Sequence, residues 1–140
     1  MNVLIDTNVI LDDILNRVPS AETARKIGQL ATDDLISAYL TANCLTDIFY
    51  IVSKSRDEDT ARKTIKNLLL FFSVVSVDGD DCQNAIDLPI SDFEDALVVV
   101  CAEKADLDYI VTNDQGFLGV ANPSVPAINP LAFLLKVQES

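Results

Sequence analysis

At 140 residues, 49% hydrophobic and 23% charged, the chain has the length of one domain and the composition of a globular rather than a disordered protein. Its 22 acidic residues against 10 basic ones leave a net charge of −12, which excludes a protein that grips nucleic acid through a bulk positive field. Histidine is absent and the three cysteines (Cys44, Cys82, Cys101) are widely spaced, so histidine general bases, Ser-His triads, histidine-ligated zinc and a disulfide framework are excluded, and a reducing cytoplasm suits the chain.

Val3-Leu4-Ile5 is a short, wholly apolar run rich in β-branched residues, the pattern of a buried parallel strand. No basic stretch or small-residue cleavage site accompanies it, so no signal peptide is expected. Val9, Ile10, Leu11, Ile14 and Leu15 predict a helix. Pro19-Ser20 breaks it and starts a second, through Ala21, Ala24, Ile27, Leu30 and Ala31. Leu35–Ala38 reads as a strand. Thr41–Lys54 carries Leu45, Ile48, Phe49, Ile51 and Val52 at helical spacing. Arg56–Asp59 reads as a charged break, Ala61–Phe72 as an amphipathic helix, Val74–Val77 as a strand and Asp78–Asp80 as a turn. A short helix over Asp81–Leu88 stops before Pro89. Ser91 and Glu94 have the spacing of a capping box opening a helix that runs to about Ala105. Tyr109–Thr112 is the next strand, followed by a short strand near Pro126–Ile128 and a last helix from Pro130. Helices separating short apolar strands predict a three-layer α/β/α sandwich around a parallel sheet, a single domain over residues 1–140. The longest apolar run, Leu68–Val77 with Ser73 and Ser76 inside it, falls well short of the roughly 20 residues that span a bilayer, so no membrane association is expected.

The position of the aspartates carries more information than their number. Asp6 directly follows the first strand, and Asp114 comes two residues after the strand ending at Thr112. In an open parallel sheet ligands bind outside the carboxyl ends of the strands, which is where both would point. Asp47 interrupts an otherwise apolar helix, on a stripe with Asn43, Tyr50 and Lys54. Asp92 and Asp95 lie one turn apart at the start of a helix that continues as Ala96, Leu97, Val98, Val99 and Val100. Carboxylates drawn together at 5 Å and an effective dielectric of 20 repel by about 3 kcal/mol per pair. A fold tolerates this by protonating one of them or by binding a cation. An all-oxygen donor set selects a hard ion, Mg²⁺ or Mn²⁺, and favours metal-assisted hydrolysis of a phosphodiester. Four carboxylates and two divalent ions would roughly cancel locally, so an acidic protein could still receive a phosphate backbone.

Four segments, in order, resemble the PIN-domain family of nucleases. They are Val3-Leu4-Ile5-Asp6-Thr7-Asn8-Val9-Ile10-Leu11, Leu45-Thr46-Asp47-Ile48-Phe49-Tyr50, Asp92-Phe93-Glu94-Asp95-Ala96-Leu97 and Tyr109-Ile110-Val111-Thr112-Asn113-Asp114. The closing Ile128-Asn129-Pro130 also fits. The resemblance implies a Mg²⁺- or Mn²⁺-dependent endoribonuclease that leaves a 5′-phosphate and a 3′-hydroxyl. It also implies the VapC type of toxin, which dimerises and is silenced by a small antitoxin. Carried over by position, the catalytic and metal-binding acids are Asp6, Asp47, Asp95 and Asp114, with Asn8, Asp92, Thr112 and Asn113 as supporting groups. The chain departs from some relatives at Gly116, where they place a further acid.

Plainer readings stand beside these. Asp6 is also a fitting N-cap and Asp114 a fitting turn residue. Asp12 and Asp13 read as surface acids. Lys54, Arg56, Arg62, Lys63 and Lys66 are half of the ten basic residues and read first as a solvated face. Arg62 and Lys63 are the candidates for contact with RNA or an acidic partner. The Leu68–Phe72 run exceeds what one helix face can bury, which leaves surface for a dimer. Two other functions fit the same elements: a PIN fold kept as a silent binding module, and an aspartate-based phosphatase or phosphotransfer domain using Asp6 as nucleophile. Against the latter, Asn8 stands where the phosphatases need a second acid, and no lysine follows Thr112-Asn113-Asp114.

Overall fold

The protein is described by a computed structural model over residues 1–119 and 124–139. Five parallel strands form one sheet in the order β3-β2-β1-β4-β5. They are β1 (Asn2–Ile5), β2 (Ser37–Thr41), β3 (Phe72–Val75), β4 (Tyr109–Val111) and β5 (Ala127–Ile128). The helices are α1 (Thr7–Ile14), α2 (Ala21–Thr32), α3 (Ala42–Ser55), α4 (Glu58–Phe71), α5 (Gly79–Ile86), α6 (Phe93–Lys104), α7 (Gln115–Leu118) and α8 (Pro130–Glu139).

The strand period of two sorts the core into two faces. Val3, Ile5, Ala38, Leu40 and Val111 pack on one side with Val9, Ile27, Ile48, Val52 and Phe133, from α1, α2, α3 and α8. Leu4, Val75 and Ile110 pack on the other with Val98, Val99 and Cys101 of α6 and Phe117 of α7. Both faces are covered, so β1 at the sheet's centre is apolar at every buried position, as the sequence predicted. The result is the expected α/β/α sandwich. Among the described residues no helix is long and apolar enough to cross a membrane.

Several boundaries move, each for a local reason. The strand expected at Leu35–Ala38 lies at Ser37–Thr41, where parallel register with β1 pairs Asn2 with Ser37 and Leu4 with Tyr39; Leu35 is left exposed. The strand expected at Val74–Val77 lies at Phe72–Val75. The charged break after Arg56 is the start of α4. Asp57 caps it by accepting from the Thr60 N–H at 2.7 Å, and Glu58 and Asp59 sit in its first turn, where the helix dipole favours acids. The expected turn at Asp78–Asp80 likewise begins α5, closed by a capping box between Asp78 and Asp81.

Candidate active site

Asp6 leaves the end of β1 with its own backbone N–H on the Val111 carbonyl at 2.9 Å, so the carboxyl ends of β1 and β4 are tied together. Its carboxylate is held at both oxygens. The Thr7 N–H donates to Oδ1 at 2.8 Å, which caps α1, and the Thr112 hydroxyl donates to Oδ2 at 2.8 Å. The N-cap reading and the site reading of Asp6 are therefore the same geometry. Asp6 is only 8% exposed, and burial raises its pKa above the ordinary aspartate value despite these hydrogen bonds.

The segment after β4 supplies the next group. The Asp114 N–H donates to the Thr112 hydroxyl at 3.0 Å, and Asp114 Oδ1 accepts from the Gly116 and Phe117 N–H groups, capping α7. The turn role expected for Asp114 is thus real and uses one oxygen. From the opposite layer, α6 begins at Phe93 with Asp92 as its cap, accepting from the Asp95 N–H at 3.1 Å. This corrects the Ser91–Glu94 capping box. The cap falls one residue later, so Glu94 is released from backbone duty.

These pieces meet in one cleft of about 330 Å³. It is lined by Asp6, Thr7, Asn8, Asp47, Asp92, Glu94, Asp95 and Asp114, with Leu11 and Ile51 as its apolar walls. Asp6, Asp47, Asp95 and Asp114, from four separate elements, are brought together here. Asn8 and Asp92 line the cleft with them. Thr112 lies behind it, bonded to Asp6, and Asn113 turns away from it. Arg62 and Lys63 do not line it. Arg62 pairs with Glu58 at 3.0 Å and stacks over the Phe49 ring, and Lys63 is exposed on α4.

Glu94 is the cleft residue that sequence reasoning missed. Partial loss of water and the adjacent Asp47, within hydrogen-bonding reach, lift its pKa to about 7. Partial burial, then repulsion from Asp92, Asp114 and Asp6, lifts Asp95 to about 6. The sequence holds the signal that would have found it: Asp92, three residues before Asp95, can cap the helix in place of Ser91.

Asp12 and Asp13 also depart from expectation, since neither is a plain surface acid. Asp12 is 7% exposed, accepts from Asn113 Nδ2 at 3.0 Å and pairs with Arg17 at 3.7 Å. Asp13 is partly buried against α2, where Gly28 lets the helices close in and Arg25 lies 3.8 Å away.

The donor set suits a hard divalent cation: every candidate ligand is an oxygen, the carboxyls of Asp6, Glu94 and Asp95 are raised in pKa by burial and by neighbouring acids, and among the described residues no lysine or arginine lines the cleft. Among the described residues no three acidic or cysteine side chains close into a ready-made chelate.

A parallel sheet carrying an acidic cleft at its carboxyl edge defines the class, and the sequence family agrees with it. The PIN domain family matches residues 2–116, and the chain belongs to that family. No curated protein matches it. Among solved structures, DNA-bound VapBC from Salmonella typhimurium is similar at 16% identity and a TM-score of 0.68, covering 93% of this chain and 98% of that one. VapBC2 from Rickettsia felis, bound to a DNA fragment from its promoter, is similar at 17% identity and a TM-score of 0.67, covering 92% and 98%. VapC20 of Mycobacterium tuberculosis, a sarcin-ricin loop cleaving toxin, is similar at 16% identity and a TM-score of 0.66, covering 82% and 92%. At these identities the likeness is one of fold.

Proposed function

We propose that this protein, a single PIN domain over residues 1–140, is a Mg²⁺- or Mn²⁺-dependent endoribonuclease and the toxin of a toxin–antitoxin pair. The observation that carries the reading is the cleft itself: six acids from four separate places in the chain share one space and, among the described residues, no cationic side chain lines it. Asp6 and Asp95 would hold the principal ion, with Asp114 and Asp47 completing its surroundings or holding a second. The ion, when bound, polarises a phosphoryl oxygen and lowers the pKa of its water.

The chain's own groups do the rest. Thr112 and the Thr7 N–H fix both oxygens of Asp6. Asp114 spends Oδ1 on the start of α7 and keeps Oδ2 without a hydrogen bond among the described residues. Asp92 holds the first turn of α6 and so the base of Asp95. Glu94, with a pKa near 7, can give up its proton near neutrality and add a further charge beside Asp47. Asp6, pinned at both oxygens, is poorly placed as the free nucleophile of a phosphatase.

RNA as substrate, a small antitoxin, a homodimer and a cytoplasmic location belong to the same proposal. Leu69, Leu70, Phe71 and Val74, exposed on α4 and β3, offer a face for a second copy. The second reading is a silent binding module on the same fold. One experiment separates the two. Purified protein is incubated with structured RNA in Mg²⁺, in Mn²⁺ and in chelator, beside Asp6→Asn and Asp95→Asn. Metal-dependent cleavage lost in both variants supports the nuclease. No cleavage by wild type, or equal cleavage by the variants, overturns it.

A further inference from the structure

We infer that Asp12 is a positioning residue for the acidic cleft: by holding the Asn113 side chain it sets the path of Thr112-Asn113-Asp114 and so the placing of Asp6 and Asp114. Asp12 lies in α1, where its neighbours Val9, Ile10 and Leu11 are core residues, and it does not line the cleft. An acid buried at such a place costs stability unless its oxygens are used. Both are. Oδ2 accepts from Asn113 Nδ2 at 3.0 Å across 101 residues of chain, and Oδ1 faces Arg17 Nη1 at 3.7 Å. Arg17 is fixed in turn, its backbone N–H on the Asp12 carbonyl at 3.0 Å.

The three residues after β4 send their side chains to three different places. The Thr112 hydroxyl bonds Asp6, the Asn113 amide bonds Asp12, and the Asp114 carboxylate lines the cleft and caps α7. Asn113 is the one of the three anchored outside the cleft. It lies between Thr112, which holds Asp6, and Asp114, which lines the cleft, so its anchor fixes the backbone on both sides. Without the acceptor at Asp12, the Asn113 amide loses its partner, and the hydroxyl of Thr112 and the cap at Asp114 are free to shift together. A misplacement of about 1 Å can cost on the order of 100-fold in rate.

The rate part of this inference rests on the nuclease reading; the structural part does not. The test compares Asp12→Ala, Asp12→Asn (which keeps an acceptor for Asn113), Arg17→Gln and Asn113→Ala in the full chain. The first readout is amide hydrogen exchange in metal-free protein at Asp114, Gly116 and Phe117, whose N–H groups the segment holds. The second is kcat and KM for RNA cleavage at saturating Mg²⁺. Asp12→Ala is expected to speed exchange at these three amides by about 10-fold or more while leaving Val99 and Ile110 protected. It is expected to lower kcat by about 10–100-fold with little change in KM. Asp12→Asn should restore most of both, and Arg17→Gln should resemble wild type. The Asp12→Ala, Asn113→Ala pair should be no worse than either alone.

Wild-type exchange in Asp12→Ala, equal behaviour of Asp12→Ala and Asp12→Asn, or an equal effect of Arg17→Gln would overturn the inference. Should Asp12→Ala fail to fold, Asn113→Ala carries the same expectation for both readouts. If wild type cleaves no RNA, the nuclease reading fails while the exchange result still decides the role of Asp12.

Discussion

Asp81 and Asp6 are buried to a similar degree, 4% and 8% exposed, and the protein treats them in opposite ways. Asp81 has Lys104 Nζ at 2.6 Å and the Asp78 N–H at 3.0 Å on Oδ2, and the lysine, first of its partners, holds its pKa below the ordinary value. Asp6 has two hydrogen-bond donors but no cation, shares its cleft with further acids, and has its pKa raised. Both sites touch α6, Lys104 in its last turn and Asp95 in its first. Where a buried acid serves the fold, the chain supplies its counter-charge. At the cleft it supplies none, and that withheld charge marks the site more sharply than the count of acids does.

The comparison breaks first on activity. Asp6→Asn and Asp95→Asn are expected to lower RNA cleavage by more than the roughly 10–100-fold that losing a partner of a metal ligand costs. Asp81→Asn should leave cleavage unchanged and lower the melting temperature instead, since it weakens the Lys104 tie. A cleavage assay and a thermal melt on the three variants check both halves. Thr112→Val keeps the shape at that position but removes the hydroxyl from Asp6. Its expected loss is about 10–100-fold, seen as a higher Mg²⁺ requirement.

A smaller effect sharpens the same contrast through pH. Glu94 and Asp95 have pKa values raised to about 7 and about 6 in the folded chain. Between their ordinary values and these, the folded state binds more protons than the unfolded one, so metal-free stability should fall as pH rises through that window and level off above it. Glu94→Gln should flatten the slope, and Mg²⁺ should offset it at the upper end. Asp81 has the opposite sign: its contribution is present above its ordinary pKa and is lost as pH falls through the lowered folded value. Melts from about pH 2 to pH 8, with and without Mg²⁺, read the difference. The smallest expected effect is at Arg62 and Lys63, outside the cleft. Charge reversal there should weaken RNA binding and its salt dependence without changing kcat at saturation.

The sheet, its parallel sense and the helices of both layers were legible because hydrophobic spacing reports burial on each face directly. So were the four aspartates, Asp6 and Asp114 just after strands, Asp95 in the first turn of a helix and Asp47 inside one, each a polar residue at a place where an apolar neighbourhood had no use for one. Strand edges moved because register is fixed by pairing across the sheet, as at Ser37 and Phe72, which no local pattern encodes. Glu94 was hidden by an equally good competing cap one residue earlier in the chain. Asp12 was hidden because its hydrogen-bond partner is Asn113, far away in sequence, and spacing along one helix cannot show a partner in the segment after a distant strand.

The most direct test of the central claim is calorimetric titration of the metal-free protein with Mn²⁺ at pH 7.5, comparing wild type with Asp95→Asn and Asp81→Asn. The account predicts saturable binding to wild type and Asp81→Asn that is lost in Asp95→Asn. Absence of binding to wild type, or equal binding by Asp95→Asn, would contradict it.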